Sequence, residues 1–269
     1  MMQWQQQRCL LTGATGGIGQ AIARRLADRG VTLILQGRDE VSLKRLQHAL
    51  PGDHHILVGD LSTAQGRQMV EDAIPALLPV TMLINNAGVS AVGDLEHLAA
   101  DDIERVMQTN LLAPMWLTQQ LLPDLKQQSQ AYIVNVGSTF GSIGFACHSL
   151  YCASKFGLRG FTEALHRELQ DSSVHVMYLA PRATQTAINS EQVIGMNAAL
   201  GNTMDPPAVV AEALIEQLSS LRARKFIGFP EKLFARINGA FPYLVDNALA
   251  KKLATIKRFA GQHSVESNL

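Results

Sequence analysis

Cysteine is scarce in this chain of 269 residues. The three cysteines are Cys9, Cys147 and Cys152. An odd number, without the spacing of a disulfide framework or a zinc site, is typical of proteins from a reducing compartment. We therefore predict no disulfides and no metal site. The two cysteines that flank Tyr151 are interpreted as small packing residues.

An excess of one charge is also missing. The chain has 23 basic and 23 acidic residues and a formal net charge of zero. No overall field would attract nucleic acid, so we predict no nucleic-acid partner. With 47% hydrophobic and 17% charged residues, the composition is that of a globular protein rather than a disordered one.

Long hydrophobic runs are absent as well. No apolar run reaches the roughly 18 residues that a membrane-spanning helix needs. The first eight residues, Met-Met-Gln-Trp-Gln-Gln-Gln-Arg, lack the apolar core of a secretory signal. We therefore predict a soluble protein located in the cytoplasm.

Strand-like and helix-like patterns alternate along the chain, which predicts an α/β fold with a doubly wound parallel sheet. Strands are predicted at Cys9–Leu11, Val31–Leu35, His55–Val58, Val80–Ile84, Tyr132–Val136, Val174–Leu179 and Lys225–Gly228. Helices are predicted at Gly17–Arg29, Asp39–Leu50 and Asp101–Leu122, the last bent by Pro114, and in a segment that carries Tyr151 and ends near Leu169. Residues 1–230 are interpreted as one domain.

A glycine-rich turn, Thr12-Gly-Ala-Thr-Gly-Gly-Ile-Gly19, follows the first predicted strand and leads into the first predicted helix. Glycines there let the backbone approach a pyrophosphate, and the free N–H groups of the helix N-terminus attract the anion. The turn is therefore a candidate dinucleotide site.

Tyr151 and Lys155 are four residues apart, so on a helix they share one face. An ammonium about 4 Å from the phenol, at an effective dielectric of about 20, would favour the phenolate by about 4 kcal/mol. The spacing therefore predicts a tyrosine with a lowered pKa that exchanges protons near neutral pH. Ser138 adds a hydroxyl that can bind a substrate oxygen.

Together, Thr12–Gly19, Asn85-Asn-Ala-Gly88, Asn110, Ser138 and Tyr151-x-x-x-Lys155 resemble the short-chain dehydrogenase/reductase family. The resemblance runs from about residue 8 to residue 230. Gly16 also fits the glycine spacing of the longer sugar-nucleotide epimerase relatives. The Asn-Asn-Ala-Gly motif, the separation of Ser138 from Tyr151 and the modest length favour the first family.

The resemblance implies a catalytic set and a cofactor site. Tyr151 would be the acid in carbonyl reduction, Lys155 would tune it and hold the nicotinamide ribose, Ser138 would orient the carbonyl, and Asn110 would position a water that relays protons. The implied cofactor-binding residues are Gly13, Thr15, Gly16, Gly17, Ile18, Gly19, Arg38, Asp60, Leu61, Asn86, Ala87, Gly88, Tyr151, Lys155, Pro181 and Thr186.

The end of the second predicted strand, Gln36-Gly37-Arg38, bears on the choice of cofactor. An acid at that point would bind the ribose 2′-hydroxyl of NAD, whereas a guanidinium can clamp the 2′-phosphate of NADP. Arg38 therefore favours NADP(H). Two alternatives stay open for Asp39, which could cap the next helix or partly neutralise Arg38.

Arg182 departs from the family pattern, because the family commonly has glycine after Pro181. Arginine could narrow the cleft, donate to the cofactor or substrate, or point outward. Ala187–Met204, with little charge and several aliphatic residues, is predicted to be a mobile substrate lid. His148 could touch the substrate, but a histidine in a loop is more often solvated.

These features predict an NADP-dependent oxidoreductase for a lipophilic carbonyl or alcohol, such as a 3-oxoacyl chain, a steroid-like ketone or a long-chain aldehyde. The alternatives are an NAD-dependent alcohol dehydrogenase that works in the oxidative direction, and a scaffold that binds the dinucleotide without turnover. The resemblance also implies a homodimer or homotetramer that pairs through its two long helices.

Residues 231–269 form a C-terminal extension with an apolar helical face that is broken near Pro242. Its polar face is mostly basic. The plain interpretation is two helices packed on the sheet or on a partner subunit. The alternative is an amphipathic arm that contacts an anionic membrane or an acyl carrier near the substrate cleft.

Overall fold

The computed structural model describes residues 2–229 and 231–261, with only the backbone for residues 231 and 232. Within them, seven parallel strands form one sheet in the order β3-β2-β1-β4-β5-β6-β7. The strands are β1 Arg8–Leu11, β2 Thr32–Gly37, β3 His55–Val58, β4 Met82–Asn85, β5 Ala131–Val136, β6 Val174–Ala180 and β7 Arg224–Phe226. The predicted doubly wound α/β fold is confirmed.

The strand order reverses between β1 and β4, which are parallel neighbours with Leu11 opposite Ile84. The chain leaves the two strands on opposite sides at this point, so their carboxyl ends open a crevice, the usual place for a ligand in such sheets. The glycine-rich turn follows β1, and Asn86 follows β4 directly.

Helices cover both faces of the sheet. They are α1 Gly17–Ala27, α2 Glu40–His48, α3 Ala64–Ala73, α4 Ala100–Met107, α5 Ala113–Leu125, α6 Ser149–Glu168, α7 Glu191–Ala199 and α8 Pro207–Ser220. One apolar core joins Leu11 to Leu26 of α1 and Leu214 of α8. The other joins Leu10 to Leu117 of α5. Neighbouring strand residues thus point to opposite cores, as the pleat requires.

The helix predicted for Asp101–Leu122 has a wider turn in its middle. Between α4 and α5, residues Gln108–Leu112 form a π-helical turn in which the N–H of Ala113 bonds the carbonyl of Gln108. Pro114 has no N–H to donate to the carbonyl of Asn110, four residues earlier, so the α-helical register is interrupted there. The bend predicted from Pro114 is therefore a change of helical register.

The part of the C-terminal segment that the structure describes, residues 231–261, is helical, as predicted, but it has three helices rather than two. They are α9 Glu231–Ala240, α10 Pro242–Ala250 and α11 Leu253–Ala260. Pro242 begins α10, in line with the predicted break. The second break, at residues 251–252, has no proline or glycine to signal it. No helix in the described part of the chain is long and apolar enough to cross a bilayer.

These helices pack against the rest of the chain. Ile256 and Ala260 of α11 share an apolar cluster with Val193 and Met196 of α7. A second cluster joins Ala235 of α9, Val245 of α10 and Ile143. The assignment of the extension to the same domain as residues 1–230 stays a prediction.

Candidate active site

A cavity of about 750 Å³ opens at the carboxyl ends of the strands. All the predicted cofactor-binding residues line it, together with Ser138. Of the predicted catalytic set, only Asn110 is not in its wall. Residues of α7, α9 and α10 also line it.

The glycine-rich turn is shaped by close backbone contacts. Gly13 has a φ of 62°, and a Cβ there would lie 2.8 Å from the Cα of Ala87. A Cβ at Gly19 would overlap the carbonyl oxygen of Gly13. Both positions therefore require glycine.

The first turn of α1 suits an anion. Gly16 is the N-cap and offers no side-chain acceptor, and the first turn contains no acidic residue. The free N–H groups and the positive end of the helix dipole can therefore hold phosphate. Thr15 and Ile18 line the cavity beside them. The turn fits the pyrophosphate of a dinucleotide.

Asn86 ties the end of β4 to this turn. Its side-chain amide donates to the carbonyls of Thr12 and Gly13, at 3.0 and 3.1 Å. The hydroxyl of Thr12 accepts from the N–H groups of Asn86 and Ala87. Asn86 thus stabilises the turn, while the next residues, Ala87 and Gly88, also line the cavity.

Arg38 lies at the end of β2 and lines the cavity with a side chain that is 68% exposed. Its Nη1 is 3.8 Å from Oδ2 of Asp60, a loose ion pair. Asp39 caps α2, accepting from the N–H groups of Val41 and Ser42. Of the two alternatives for Asp39, the structure shows the helix cap.

Asp60 and Leu61 lie in the wall next to Arg38. Burial raises the pKa of Asp60, but hydrogen bonds from the hydroxyl and N–H of Ser62, with the charge of Arg38, outweigh it. The pKa of Asp60 therefore lies below its usual value, and the group is a carboxylate at neutral pH.

Lys155 is buried at the centre of the site. Its Nζ donates to the carbonyl of Val136 at 3.0 Å and lies 5.7 Å from the centroid of the Tyr151 ring. Burial lowers the pKa of Lys155 to about 8. A Cβ at Gly88 would be 3.7 Å from Nζ, so the strand-ending turn also borders the lysine.

The lowered pKa that the sequence spacing predicts for Tyr151 is wrong. Burial raises the pKa of Tyr151 to about 12, and a hydrogen bond with Ser138 opposes this only in part. The ammonium of Lys155 lies against the face of the ring and donates to Val136. Desolvation of the phenolate is therefore the larger effect.

Asn110 lies in the π-helical turn and is fully buried. Its Oδ1 accepts from the N–H of Val89 at 2.8 Å. Its Nδ2 donates to the carbonyl of Val89 and the hydroxyl of Ser154. The side chain thus joins the loop after β4 to α6, and the water relay at Asn110 stays a prediction.

Tyr178 on β6 is a site residue that the sequence interpretation missed. Its hydroxyl donates to the carbonyl of Ser138 at 3.2 Å and accepts from the N–H of Ser138 at 3.3 Å. A Cβ at Gly137 or Gly141 would overlap this tyrosine. The signal available in the sequence was the pair of glycines around Ser138, which indicates close packing against another group.

Arg182 holds the loop after β6. Its guanidinium makes paired hydrogen bonds of 2.8 and 2.7 Å to the carboxylate of Asp205, and Nη1 donates to the carbonyl of Phe229 at 3.3 Å. The side chain therefore does not point outward. Nearby, Pro181 and Thr186 line the cavity, and a Cβ at Gly17 would lie 2.8 Å from the Thr186 methyl carbon.

His148 is buried rather than solvated, which corrects the sequence interpretation. Its ring packs edge-on against Phe140 and Phe145. Nδ1 lies 3.1 Å from the carbonyl of Ala146, an acceptor, so Nδ1 carries the proton. Burial lowers the pKa of His148, and the residue lines the cavity.

The predicted lid contains α7, which is capped by the hydroxyl of Ser190. Val193 and Met196 of α7 line the cavity and pack against Ile256 of α11. The segment therefore covers the cavity, and its mobility stays a prediction. Among the described residues, no cluster of three or more His, Cys, Asp or Glu side chains could hold a metal ion.

Known proteins resemble this chain in sequence and in fold. The family model for short chain dehydrogenase matches residues 7–196. The ketoacyl reductase HetN of Nostoc sp. is 32% identical over 216 residues, 78% of this chain and 75% of that protein.

Solved structures show the same likeness. A short-chain dehydrogenase from Sphingobium yanoikuyae in complex with NADPH matches with a TM-score of 0.76 and 26% identity, over 89% of this chain and 95% of its own. A short chain dehydrogenase/reductase from Burkholderia phymatum in complex with NAD has a TM-score of 0.81 at 23% identity, over 91% and 96%, and supports the fold alone.

The family model spans well over half of the chain, and the glycine-rich turn has the close backbone contacts described above. An oxidoreductase of this family uses a nicotinamide dinucleotide. This chain belongs to the short-chain dehydrogenase/reductase family.

Proposed function

We propose that the protein is an NADPH-dependent reductase of lipophilic carbonyl compounds, with 3-oxoacyl chains as the first candidates. The observation that carries the cofactor preference is Arg38, a cation at the end of β2 with no acid in the preceding position. Its pair with Asp60 is long and exposed, so the guanidinium is available to a phosphate.

The bound cofactor would supply the hydride. The N–H groups at the start of α1 would hold its pyrophosphate, and Arg38 its 2′-phosphate. Asp60 and Leu61 would contact the adenine end of the cofactor, and Pro181, Thr186 and Lys155 its nicotinamide end; all five residues line the cavity.

The chain's own residues would donate the proton and stabilise the substrate oxygen. The hydroxyls of Ser138 and Tyr151 would both donate to the substrate carbonyl oxygen and stabilise the negative charge that grows on it. Because burial raises the pKa of Tyr151 to about 12, its hydroxyl carries a proton at neutral pH and can donate it to the more basic alkoxide oxygen that forms on hydride transfer. Lys155 would hold the cofactor ribose and pass a proton toward Tyr151.

The substrate end of the cavity is apolar. Its wall combines aromatic and aliphatic side chains from the loop before α6, from α7 and from the C-terminal helices: Phe140, Ile143, Phe145, Val193, Met196, Leu200, Phe234, Val245 and Leu249. Such a wall favours a long or bulky apolar substrate. The similarity to HetN, a ketoacyl reductase, supports 3-oxoacyl chains as substrates.

A turnover screen tests this function. Purified protein is mixed with NADPH and a series of 3-oxoacyl thioesters, aliphatic aldehydes and steroid ketones, and NADPH oxidation is followed. We expect kcat/KM to rise with acyl chain length. Faster turnover of alcohols with NAD would instead favour the oxidative dehydrogenase, and binding of cofactor without turnover of any compound would favour the scaffold.

Arg38→Ala tests the cofactor preference. Because the lost contact would be a charge-assisted one, we expect NADPH binding to weaken by about 2 kcal/mol, near thirtyfold, with NADH binding nearly unchanged. Calorimetric titration with both cofactors measures this. Arg45→Ala on α2 is a matched control, and equal losses for both cofactors would make Arg38 a structural residue.

Tyr178→Phe tests whether the backbone of Ser138 must be held. The variant removes two hydrogen bonds to Ser138 and leaves the ring between Gly137 and Gly141. We expect kcat to fall by up to about thirtyfold with KM for NADPH unchanged, since the two bonds contribute about 1 kcal/mol each. Steady-state kinetics measure the loss of kcat, and thermal unfolding measures the melting temperature. A lower melting temperature without a selective loss of kcat would indicate general destabilisation instead.

We also propose a homo-oligomer that pairs through the long helices α4–α5 and α6. Ile103, Leu112 and Phe156 on these helices are exposed, large and apolar. Covering them against a second copy would remove this apolar surface from water. Light scattering of the purified protein measures the state.

A further inference from the structure

The mouth of the cavity has an unusual rim of exposed apolar side chains. Phe229 is 75% exposed and Phe234 is 41% exposed, yet both line the cavity. Ile188, just before α7, also lines it and is exposed. The apolar interior of the cavity therefore continues onto the outer surface.

Helix α10 forms another part of this rim. Leu244, Ala248 and Lys251 are spaced four and three residues apart, so they lie along one side of the helix. Ala248 lines the cavity, and Leu244 is 49% exposed. Leu244 and Lys251 therefore flank the mouth on the same side of α10.

Two aromatic residues extend the surface at the start of α10. Phe241 and Tyr243 are both more than half exposed, and their rings contact each other edge to face, with centroids 6.4 Å apart. We define the mouth surface as Ile188, Phe229, Phe234, Phe241, Tyr243, Leu244, Lys251 and Lys252. Exposed apolar surface next to a cavity mouth indicates an interaction site.

The charge around this surface is positive. Between residues 233 and 261 the basic residues are Arg236, Lys251, Lys252, Lys257 and Arg258, and Asp246 is the single acid. Lys252 lines the cavity itself. Lys257 forms a 3.4 Å ion pair with Asp94, whereas the side chains of Lys251 and Lys252 are exposed.

We propose that the mouth surface docks on an anionic phospholipid bilayer. Exposed aromatic and aliphatic side chains beside lysines match the interfacial zone of such a membrane, where rings and chains enter the headgroup layer and cations meet lipid phosphates. An acidic protein partner would satisfy the lysines but would not by itself account for the exposed Phe and Leu side chains.

The mouth surface lies beside the opening of the cavity, so docking would place that opening against the membrane. A lipophilic substrate dissolved in the bilayer would enter the cavity past Phe229 and Phe234 without crossing water. This step rests on the proposed function, but the docking does not, because it depends only on the mouth surface.

Vesicle sedimentation with the full chain tests the docking. The vesicles are phosphatidylcholine alone or phosphatidylcholine with phosphatidylglycerol at about 3:1, at low and high salt. We expect the bound fraction to be high on the anionic vesicles at low salt and to fall at least about fivefold at high salt, because salt screens the lysine–phosphate attraction.

Matched variants locate the contact. Lys251→Glu/Lys252→Glu should abolish sedimentation, while Lys44→Glu/Arg45→Glu, the same charge change on two exposed residues of α2, should leave it intact. Phe241→Gln/Leu244→Gln should weaken binding at least about fivefold. Turnover of a short soluble carbonyl compound, without vesicles, should stay unchanged in Phe241→Gln/Leu244→Gln and in the α2 control, because neither variant changes a residue that lines the cavity.

Several outcomes would overturn the proposal. Wild-type protein that stays in solution with anionic vesicles at low salt would refute it, as would equal losses in the α2 control. If Phe241→Gln/Leu244→Gln changes the mass measured by light scattering and vesicle binding is absent, the mouth surface is an interface between copies. Failure of the carbonyl assay alone would count against the proposed function and not against docking.

Discussion

Tyr151→Phe is expected to lower kcat at least about a hundredfold and to leave the affinity for NADPH nearly unchanged. The variant keeps the ring that packs edge-on against Phe140 and lies beside Lys155, and it removes only the hydroxyl. Without that hydroxyl, the carbonyl oxygen loses its proton donor and one of its two hydrogen-bond donors.

Steady-state kinetics and fluorescence titration with NADPH measure the two quantities. Tyr243→Phe, the same substitution at an exposed tyrosine of α10, is the control and should retain full turnover of a soluble substrate. A Tyr151→Phe enzyme with near-normal kcat would remove Tyr151 from the mechanism. A large loss of NADPH affinity would instead indicate that the hydroxyl supports the cofactor site.

The sheet could be predicted from sequence because its strands are covered on both faces. Val31–Leu35 is a continuous run of β-branched and aliphatic residues, Tyr132–Val136 is apolar apart from Asn135, and the structure places strands over most of each run. The break between α10 and α11 could not, because residues 250–253 contain no proline or glycine. That break depends on how Ile256 and Ala260 pack against α7, which is a tertiary contact.

The parts of the site that escaped prediction depend on residues far apart in sequence. Arg182 binds Asp205, 23 positions away, and Tyr178 binds Ser138, 40 positions away. No pattern of neighbouring residues in the sequence indicates either pair. His148 looked solvated because it lies in a predicted loop, but two phenylalanines of the same loop cover it.

The residues of the Tyr151–Lys155 motif, in contrast, could be found from their spacing in the sequence, although their pKa values could not. The four-residue step from Tyr151 to Lys155 places both on one face of α6, and both line the cavity. The spacing in the sequence does not show how far the two side chains are removed from water. Their desolvation raises the pKa of Tyr151 and lowers the pKa of Lys155. Burial is a property of the whole fold.

Lys155→Met is expected to lower catalytic activity without lowering the stability of the fold at pH 7. Methionine has a similar length and suits a buried position, but it can neither hold the cofactor ribose nor carry a proton. We expect kcat/KM to fall at least about a hundredfold. Unlike Tyr151→Phe, this variant should also bind NADPH more weakly, and Lys126→Met on the exposed end of α5 should change neither quantity.

The pH dependence of stability gives an independent readout for the same variant. The pKa of Lys155 is about 8 in the folded protein and near its ordinary value of 10.5 in the unfolded chain. Between these two values the unfolded chain binds more protons, so this group makes the free energy of unfolding rise with pH from about 8 to 10.5. Below pH 8 both states are protonated, and the unfavourable contribution of the buried charge is constant.

Lys155→Met lacks that charge, so it should be at least as stable as the wild type at pH 7 and should lack this part of the rise above pH 8. Urea unfolding at pH 7, 8, 9 and 10, with Lys126→Met beside it, measures the difference. If the slope with pH is the same in Lys155→Met as in the wild type, the buried lysine does not titrate as described. If the variant is instead less stable at pH 7, the bond from Nζ to the carbonyl of Val136 contributes more to the fold than the buried charge costs.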